Sequence, residues 1–130
     1  FVASHSNARA LAGCNRNMTD DMIRTVGNHG GVIGLNFCPA FLEAAAVEAD
    51  CHSTVELLAK HAKHMMNIGG REVVGLGTDF DGLGPEILEI QDASQMQKLV
   101  DGFEKAGLKP DVIEGICYKN VLKVYKEVLK

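Results

Sequence analysis

The sequence predicts an α/β fold in which parallel strands alternate with crossover helices. Residues 32–37 (VIGLNF) and 73–77 (VVGLG) form mainly apolar runs, as expected of strands buried on both faces. An apolar start at residues 1–4 is interpreted as the end of a third strand. Between the two runs, apolar residues recur at intervals of 3, 4 and 3, which is typical of an amphipathic helix: Val55, Leu58, Ala62 and Met65. Alternation of this kind implies right-handed crossovers between parallel strands.

Capping and helix-breaking residues predict where these elements begin and end. Thr19 is expected to cap a first helix, which the glycine pair at residues 30–31 ends. The run STVE at residues 53–56 is interpreted as a capping box that opens the second helix, which the glycine pair at residues 69–70 ends.

Capping and helix-breaking residues also predict the connections and the C-terminal elements. Residues 38–52 are predicted to form a loop, in which residues 44–47 could form a helical turn. Residues 94–106 are predicted to form one helix, and Pro110 to begin another as its first residue. A bend is expected near residues 119–120.

Length and charge limit the classes of protein that fit. A chain of 130 residues is one domain or part of one, and its strand-like start suggests processing or a longer parent. Acidic residues outnumber basic ones by 17 to 13, which argues against nucleic acid as a partner. No apolar run reaches the roughly 18 residues of a membrane span.

The cysteines carry little functional information. Four are widely spaced and none forms a C-x-x-C pair, so neither a zinc knuckle nor a redox pair is indicated: Cys14, Cys38, Cys51 and Cys117. Reduced thiols are expected, which favours a cytoplasmic, bacterial-type location.

Chemistry in such folds gathers at the carboxyl ends of the strands. This rule selects residues 4–7, 36–38 and 79–81. His5 could ligate a metal or act as a base, or it could be a structural histidine. Asp79 and the second aspartate of its run could hold a cation or supply a base, or they could cap the loop.

Three further residues have competing interpretations. Arg16 has the planar fork that suits a carboxylate or phosphate, although a solvated arginine is the commoner case. His61 and His64 are spaced to make a metal pair, but both lie off the apolar stripe among lysines. A solvated helix face is therefore predicted for these two histidines.

The motifs SHSNARAL at residues 4–11, NRN at 15–17 and GTDFDG at 77–82, with the tail NVLKV at 120–124, together resemble the membrane (renal-type) dipeptidases. These are zinc dipeptidases of the amidohydrolase class. The resemblance covers essentially the whole chain. A local departure is the pair at residues 14–15, where relatives often carry His-Pro or a basic residue.

The resemblance implies a (β/α)8 barrel with two zinc ions bridged by a carboxylate and a water or hydroxide. Residues 1–130 would be its C-terminal portion, with strands six to eight. His5 matches a zinc ligand, Arg16 the arginine that binds the dipeptide's terminal carboxylate, and Asp79 the aspartate that contacts the catalytic water. Asp81 matches a position without an assigned catalytic step.

The same resemblance implies that other metal ligands belong to a missing N-terminal half of the barrel. One imidazole cannot hold two zinc ions, so this chain is predicted to be inactive by itself. The missing half-barrel is its expected partner, besides the dipeptide substrate.

Two alternatives remain at this stage. Residues 73–82 look somewhat like the D-x-D-G motif of haloacid-dehalogenase-type phosphatases, although Leu83 stands where Thr or Val is usual. The other alternative is a non-catalytic half-barrel fragment that forms homo-oligomers or self-associates through its open strand edges.

Overall fold

A three-stranded parallel sheet forms the centre of the molecule. The computed structural model describes the backbone of residues 1–130 and every side chain except that of Glu86. The strands lie in the order β1-β2-β3, with Ile33 of the central strand opposite Val74 of the third: β1 (Val2–Ala3), β2 (Val32–Leu35) and β3 (Val74–Leu76). The predicted α/β class with parallel strands is confirmed.

Six α-helices connect and cover the strands of the described chain: α1 (Asp20–Asn28), α2 (Pro39–Leu42), α3 (Val55–Gly69), α4 (Gln97–Lys105), α5 (Pro110–Glu114) and α6 (Asn120–Val128). Single 3-10 turns lie at Glu48–Asp50, Phe80–Gly82, Pro85–Ile87 and Ala93–Gln95. None of the described helices is long and apolar enough to cross a membrane.

The core lies between the sheet and its helices. All four residues of β2 are buried, which explains why the sequence of that strand does not alternate between apolar and polar residues. The predicted stripe of α3 is buried against this strand, and each fully buried leucine there contributes about 1.5–3 kcal/mol.

Several local predictions are confirmed by the caps. Thr19 accepts a hydrogen bond from the first turn of α1 at 3.3 Å. Gly70 ends α3 with φ at 93°, a value that favours glycine. Pro110 is the first residue of α5.

The capping box predicted at residues 53–56 is wrong by one residue. Thr54, not Ser53, caps α3. The hydroxyl of Ser53 instead donates to the carbonyl of Phe37 at 2.5 Å. The carboxylate of Glu89, on a distant loop, accepts the first N–H of α3 from Val55 at 2.6 Å.

Two other predictions are displaced along the chain. The helical turn expected at residues 44–47 lies instead at Pro39–Leu42, because proline at the first position presets φ and the last leucine is buried. The bend near residues 119–120 is a π-helical stretch, Gly115–Lys119, between α5 and α6. After it, Asn120 points inward and donates to the carbonyl of Val74 at 2.8 Å.

Candidate active site

The carboxyl ends of the three strands meet at one edge of the sheet. Two glycines allow this approach, because a Cβ at Gly77 would lie 2.0 Å from the carbonyl oxygen of Ser4, and one at Gly34 would lie 2.2 Å from it. A Cβ at Gly77 would also lie 3.0 Å from the Cα of His5. The end of β1 is therefore packed against the end of β3, two residues before Asp79.

His5 is half-buried and has hydrogen-bond partners at both ring nitrogens. Its Nδ1 lies 2.7 Å from the hydroxyl of Ser4, and its Nε2 lies 3.2 Å from Nη2 of Arg16. A guanidinium can only donate, so Nε2 accepts and Nδ1 carries the proton towards Ser4. The lone pair of Nε2, the atom a metal would need, therefore faces Arg16.

Arg16 is exposed but oriented. Its guanidinium carbon lies 5.4 Å from the centre of the Phe41 ring, which is a cation–π arrangement. Its backbone carbonyl accepts a hydrogen bond from the hydroxyl of Ser6 at 2.8 Å. The structure thus brings Arg16 and His5 together, although the strand-end rule selected only His5 of the two.

Asp79 adopts a left-handed conformation, with φ 63° and ψ 29°, the one positive φ of a non-glycine residue in the described backbone. Its side chain does not cap the 3-10 turn that follows, so the loop-capping interpretation is wrong for this residue. Its Oδ2 instead accepts a hydrogen bond from the side chain of Asn36 at 3.3 Å. Asp81 is exposed.

Three buried asparagines tie the functional loops together, and sequence reasoning gave them no role. Asn7 exchanges two hydrogen bonds with the backbone of Asn36, at 2.9 and 2.8 Å. Asn17 accepts from the backbone N–H of Asn7 at 3.2 Å and donates to the carbonyls of Ala12 and Phe41, both at 2.9 Å. The sequence did offer a signal for them: Asn7 and Asn17 lie within the motifs quoted above, and Asn36 lies at a strand end that the carboxyl-end rule selected.

The prediction that His61 lies on a solvated face is wrong. Its imidazole is fully buried; Nδ1 accepts the N–H of Ala8 at 3.1 Å, and Nε2 donates to the carbonyl of Leu42 at 2.9 Å. Burial lowers the pKa of His61 and keeps the ring neutral. His64 is only partly exposed and pairs with Asp20 at 2.8 Å.

The described residues by themselves do not supply a complete ligand set for a metal ion. Among them, no group of three or more His, Cys, Asp or Glu side chains could hold one. His5 supplies one nitrogen, whereas zinc takes four ligands in most sites. Burial raises the pKa of the Cys38 thiol at the end of β2.

Comparison with known proteins decides the family. The model of the membrane dipeptidases, peptidase family M19, matches residues 1–130. The chain belongs to this family of metallo-dipeptidases. That membership confirms the resemblance of the motifs and replaces the haloacid-dehalogenase alternative.

Individual relatives support the assignment to the membrane dipeptidase family. A Klebsiella pneumoniae protein encoded in the pqqA 5′ region is 36% identical over 98% of this chain and 46% of its own length. The dipeptidase tcpJ of Claviceps purpurea is 31% identical over 98% of this chain and 29% of its own. This chain therefore spans less than half the length of these curated relatives.

A solved structure supports the fold. The metallopeptidase of Rhodobacter sphaeroides, bound to a phosphinate mimic of the dipeptide L-Ala-D-Ala, superimposes with a TM-score of 0.85 at 28% identity. The match covers 96% of this chain and 35% of that chain. The parallel α/β architecture is thus that of the M19 metallo-dipeptidases.

Proposed function

We propose that this chain is the C-terminal portion of a (β/α)8 barrel and supplies part of the active site of a metallo-dipeptidase. The observation that carries this proposal is the shared edge of the sheet, where His5 lies 3.2 Å from Arg16 and the end of β1 packs against the end of β3, two residues before Asp79. Family membership defines the reaction class, and this edge is where a parallel sheet places its chemistry.

Arg16 would bind the terminal carboxylate of the dipeptide. Its guanidinium stands exposed over Phe41, so a carboxylate can reach its outer N–H groups and form a charge-assisted, bidentate pair. A peptide with further residues after the scissile bond would place its carboxylate beyond this position, which explains a preference for dipeptides.

Asp79 would transfer the proton during hydrolysis. Its carboxylate takes a proton from the attacking water as the water oxygen bonds to the peptide carbon. It then passes that proton to the leaving nitrogen as the C–N bond breaks. The products are two amino acids, and Asp79 returns to its ionised state.

The complete site is proposed to hold two zinc ions, with His5 as one ligand. Because His5 is a single donor, the other ligands would come from an N-terminal half of the barrel that is not in this chain. We therefore expect the 130-residue chain to be inactive by itself. Zinc-dependent dipeptide hydrolysis by the purified chain would contradict this expectation.

The surface left by this sheet supports such a partner. The outer strands β1 and β3 each have one unpaired edge in the described sheet, and apolar side chains are exposed along the C-terminal helices: Tyr118, Leu122, Tyr125 and Leu129. Without the other half-barrel the chain is expected to self-associate. A monodisperse monomer in light scattering would contradict that.

The test uses the complete enzyme, with this chain joined to the rest of its barrel, and dipeptide and tripeptide substrates. Asp79→Asn is expected to lower kcat by about 10²–10⁴-fold. Arg16→Met is expected mainly to raise KM for dipeptides. The matched control is Asp81→Asn, which removes an exposed carboxylate two residues away and should leave the rate unchanged. Equal loss at both aspartates would refute the assignment.

A further inference from the structure

Asn36 lies at the end of β2, fully buried, with its side chain between two loops. Its Oδ1 accepts the backbone N–H of Cys38 at 2.7 Å. Its Nδ2 points the other way, towards Oδ2 of Asp79 at 3.3 Å. The opposite amide orientation would place an oxygen against the carboxylate and an NH2 against an N–H, so the network decides which atom faces Asp79.

The backbone of Asn36 is held as firmly as its side chain. The side-chain amide of Asn7 accepts the N–H of Asn36 at 2.9 Å and donates to its carbonyl at 2.8 Å. Asn7 is itself buried and also donates to the carbonyl of Phe41 at 3.2 Å. Leaving such buried groups unpaired is unfavourable, so these bonds hold the backbone of Asn36 in place.

The carboxylate of Asp79 depends on a side chain outside its own loop to fix its orientation. The residue sits in a left-handed conformation, and its side chain does not bond to the turn it precedes. On its Oδ1 side lies Gly82, where a Cβ would come within 2.5 Å of that oxygen. The carboxylate therefore lies between the side-chain amide of Asn36 and Gly82, where a residue with a Cβ would collide with it.

We propose that Asn36 is a positioning residue that binds Oδ2 of Asp79 and presents Oδ1 to the reacting water. No hydrogen bond from the described residues reaches Oδ1, so this oxygen is free to exchange the proton. The inference rests on the proposed role of Asp79 as the proton-transfer group. It adds that the carboxylate works in a single orientation, which a neighbouring strand end imposes.

A matched control lies at the opposite end of the sheet. Asn120 is also a buried asparagine whose Nδ2 donates to a strand, here to the carbonyl of Val74 at 2.8 Å. Replacing either asparagine with leucine removes a buried hydrogen bond. Only Asn36 contacts Asp79, so only its replacement should change the chemistry.

The experiment compares Asn36→Leu and Asn120→Leu in the complete enzyme, with kinetics expressed per folded molecule. Asn36→Leu is expected to lower kcat by about 10–100-fold with KM within about threefold, since misplacing a reacting group mainly affects the transition state. Asn120→Leu should lower the unfolding temperature but leave kcat unchanged. Unchanged kcat in Asn36→Leu, or equal loss in both variants, would overturn the inference.

A second variant keeps the test decisive. If Asn36→Leu does not fold, Asn36→Ser retains a hydroxyl for the N–H of Cys38 but is too short to reach Asp79, and the same fall in kcat is expected.

An NMR measurement separates this inference from the proposed function. The χ1 coupling constants of Asp79 in the complete enzyme should report one rotamer in the wild type and averaging in Asn36→Leu. An unaveraged rotamer in the variant overturns the positioning role, whatever the enzyme does. A wild-type enzyme that hydrolyses no dipeptide overturns the proposed function, while the rotamer result still decides the inference.

Discussion

The two ends of the sheet are held together by different interactions. At the carboxyl end, buried asparagines bind backbone groups of neighbouring loops, with Asn7, Asn17 and Asn36 as the centre. At the amino end, helices approach through glycines, and a Cβ at Gly27 would lie 2.0 Å from the carbonyl oxygen of Gly69. The surface there carries exposed ion pairs.

The two kinds of interaction constrain the two ends of the sheet in different ways. Hydrogen bonds from side chains have direction, so they can hold loops and the residues on those loops in one orientation. Close packing of backbone has little direction and sets only how near two helices come. Changes at the carboxyl end should therefore alter both stability and the candidate site, whereas changes at the amino end should alter stability alone.

The largest effect on stability is expected at the carboxyl end. Asn7→Leu removes the partners of two buried backbone groups of Asn36. At about 1–3 kcal/mol each, this should lower the unfolding free energy by about 2–6 kcal/mol in denaturant titrations at fixed protein concentration. Asn15→Leu, at an exposed position nearby, is the control and should change it little. Equal losses in the two variants would show that the buried asparagine network contributes no more to stability than an exposed asparagine does.

The next effect tests the packing at the amino end. Gly27→Ala brings a methyl group into the carbonyl of Gly69, so we expect a loss of about 1–3 kcal/mol despite the better helix propensity of alanine. Gly13→Ala, where a Cβ meets no atom within 4 Å, is the control. A more stable Gly27→Ala variant would show that the helices separate easily.

A pH effect should come from the carboxyl end. Burial lowers the pKa of His61 in the folded state, so the unfolded chain takes up the proton at a higher pH, near 6.5. The stabilising contribution of the neutral ring is therefore complete above about pH 6.5 and is lost as the pH falls below it. The measurement is the slope of unfolding free energy against pH between 5 and 7.

His61→Phe should flatten that slope, because the titrating ring is gone. Gly27→Ala serves as the control, since it lowers stability without touching His61. An unchanged slope in His61→Phe would assign the pH dependence to other groups.

The smallest effect is expected for an ion pair at the amino end. Arg71 and Asp111 lie 2.5 Å apart and are both largely exposed. Arg71→Met should shift the unfolding temperature less than Gly27→Ala does, and added salt should erase the difference. Glu56→Gln, an exposed charge in α3, is the control. A large, salt-independent loss would show that surface charge holds this end together.

The site could be predicted in part because it follows from the fold class. Once the strands were recognised, the carboxyl-end rule selected the positions of His5, Asn36 and Asp79 together. The bonds between them could not be predicted, since they depend on how closely the strand ends approach at Gly34 and Gly77. The roles of His5, Arg16 and Asp79 in catalysis stay predictions.

The errors share one physical cause. The cap of α3 was misplaced by one residue because the hydroxyl of Ser53 donates to the distant carbonyl of Phe37, while Glu89, 34 residues after the helix begins, accepts its first N–H. His61 was placed in solvent because a helical wheel shows only one packing surface. In the structure, the loop around Ala8 and the end of α2 cover a second side of α3.

The sequence by itself determined the parallel α/β class, the local caps at Thr19 and Gly70, the start of a helix at Pro110 and the family motifs. These depend on backbone preferences and on the periodicity of neighbouring residues. Only the tertiary structure decided that asparagines clamp the strand ends and that Asn36 faces Asp79. Such contacts join residues tens of positions apart, and no local preference encodes which loop will supply the partner.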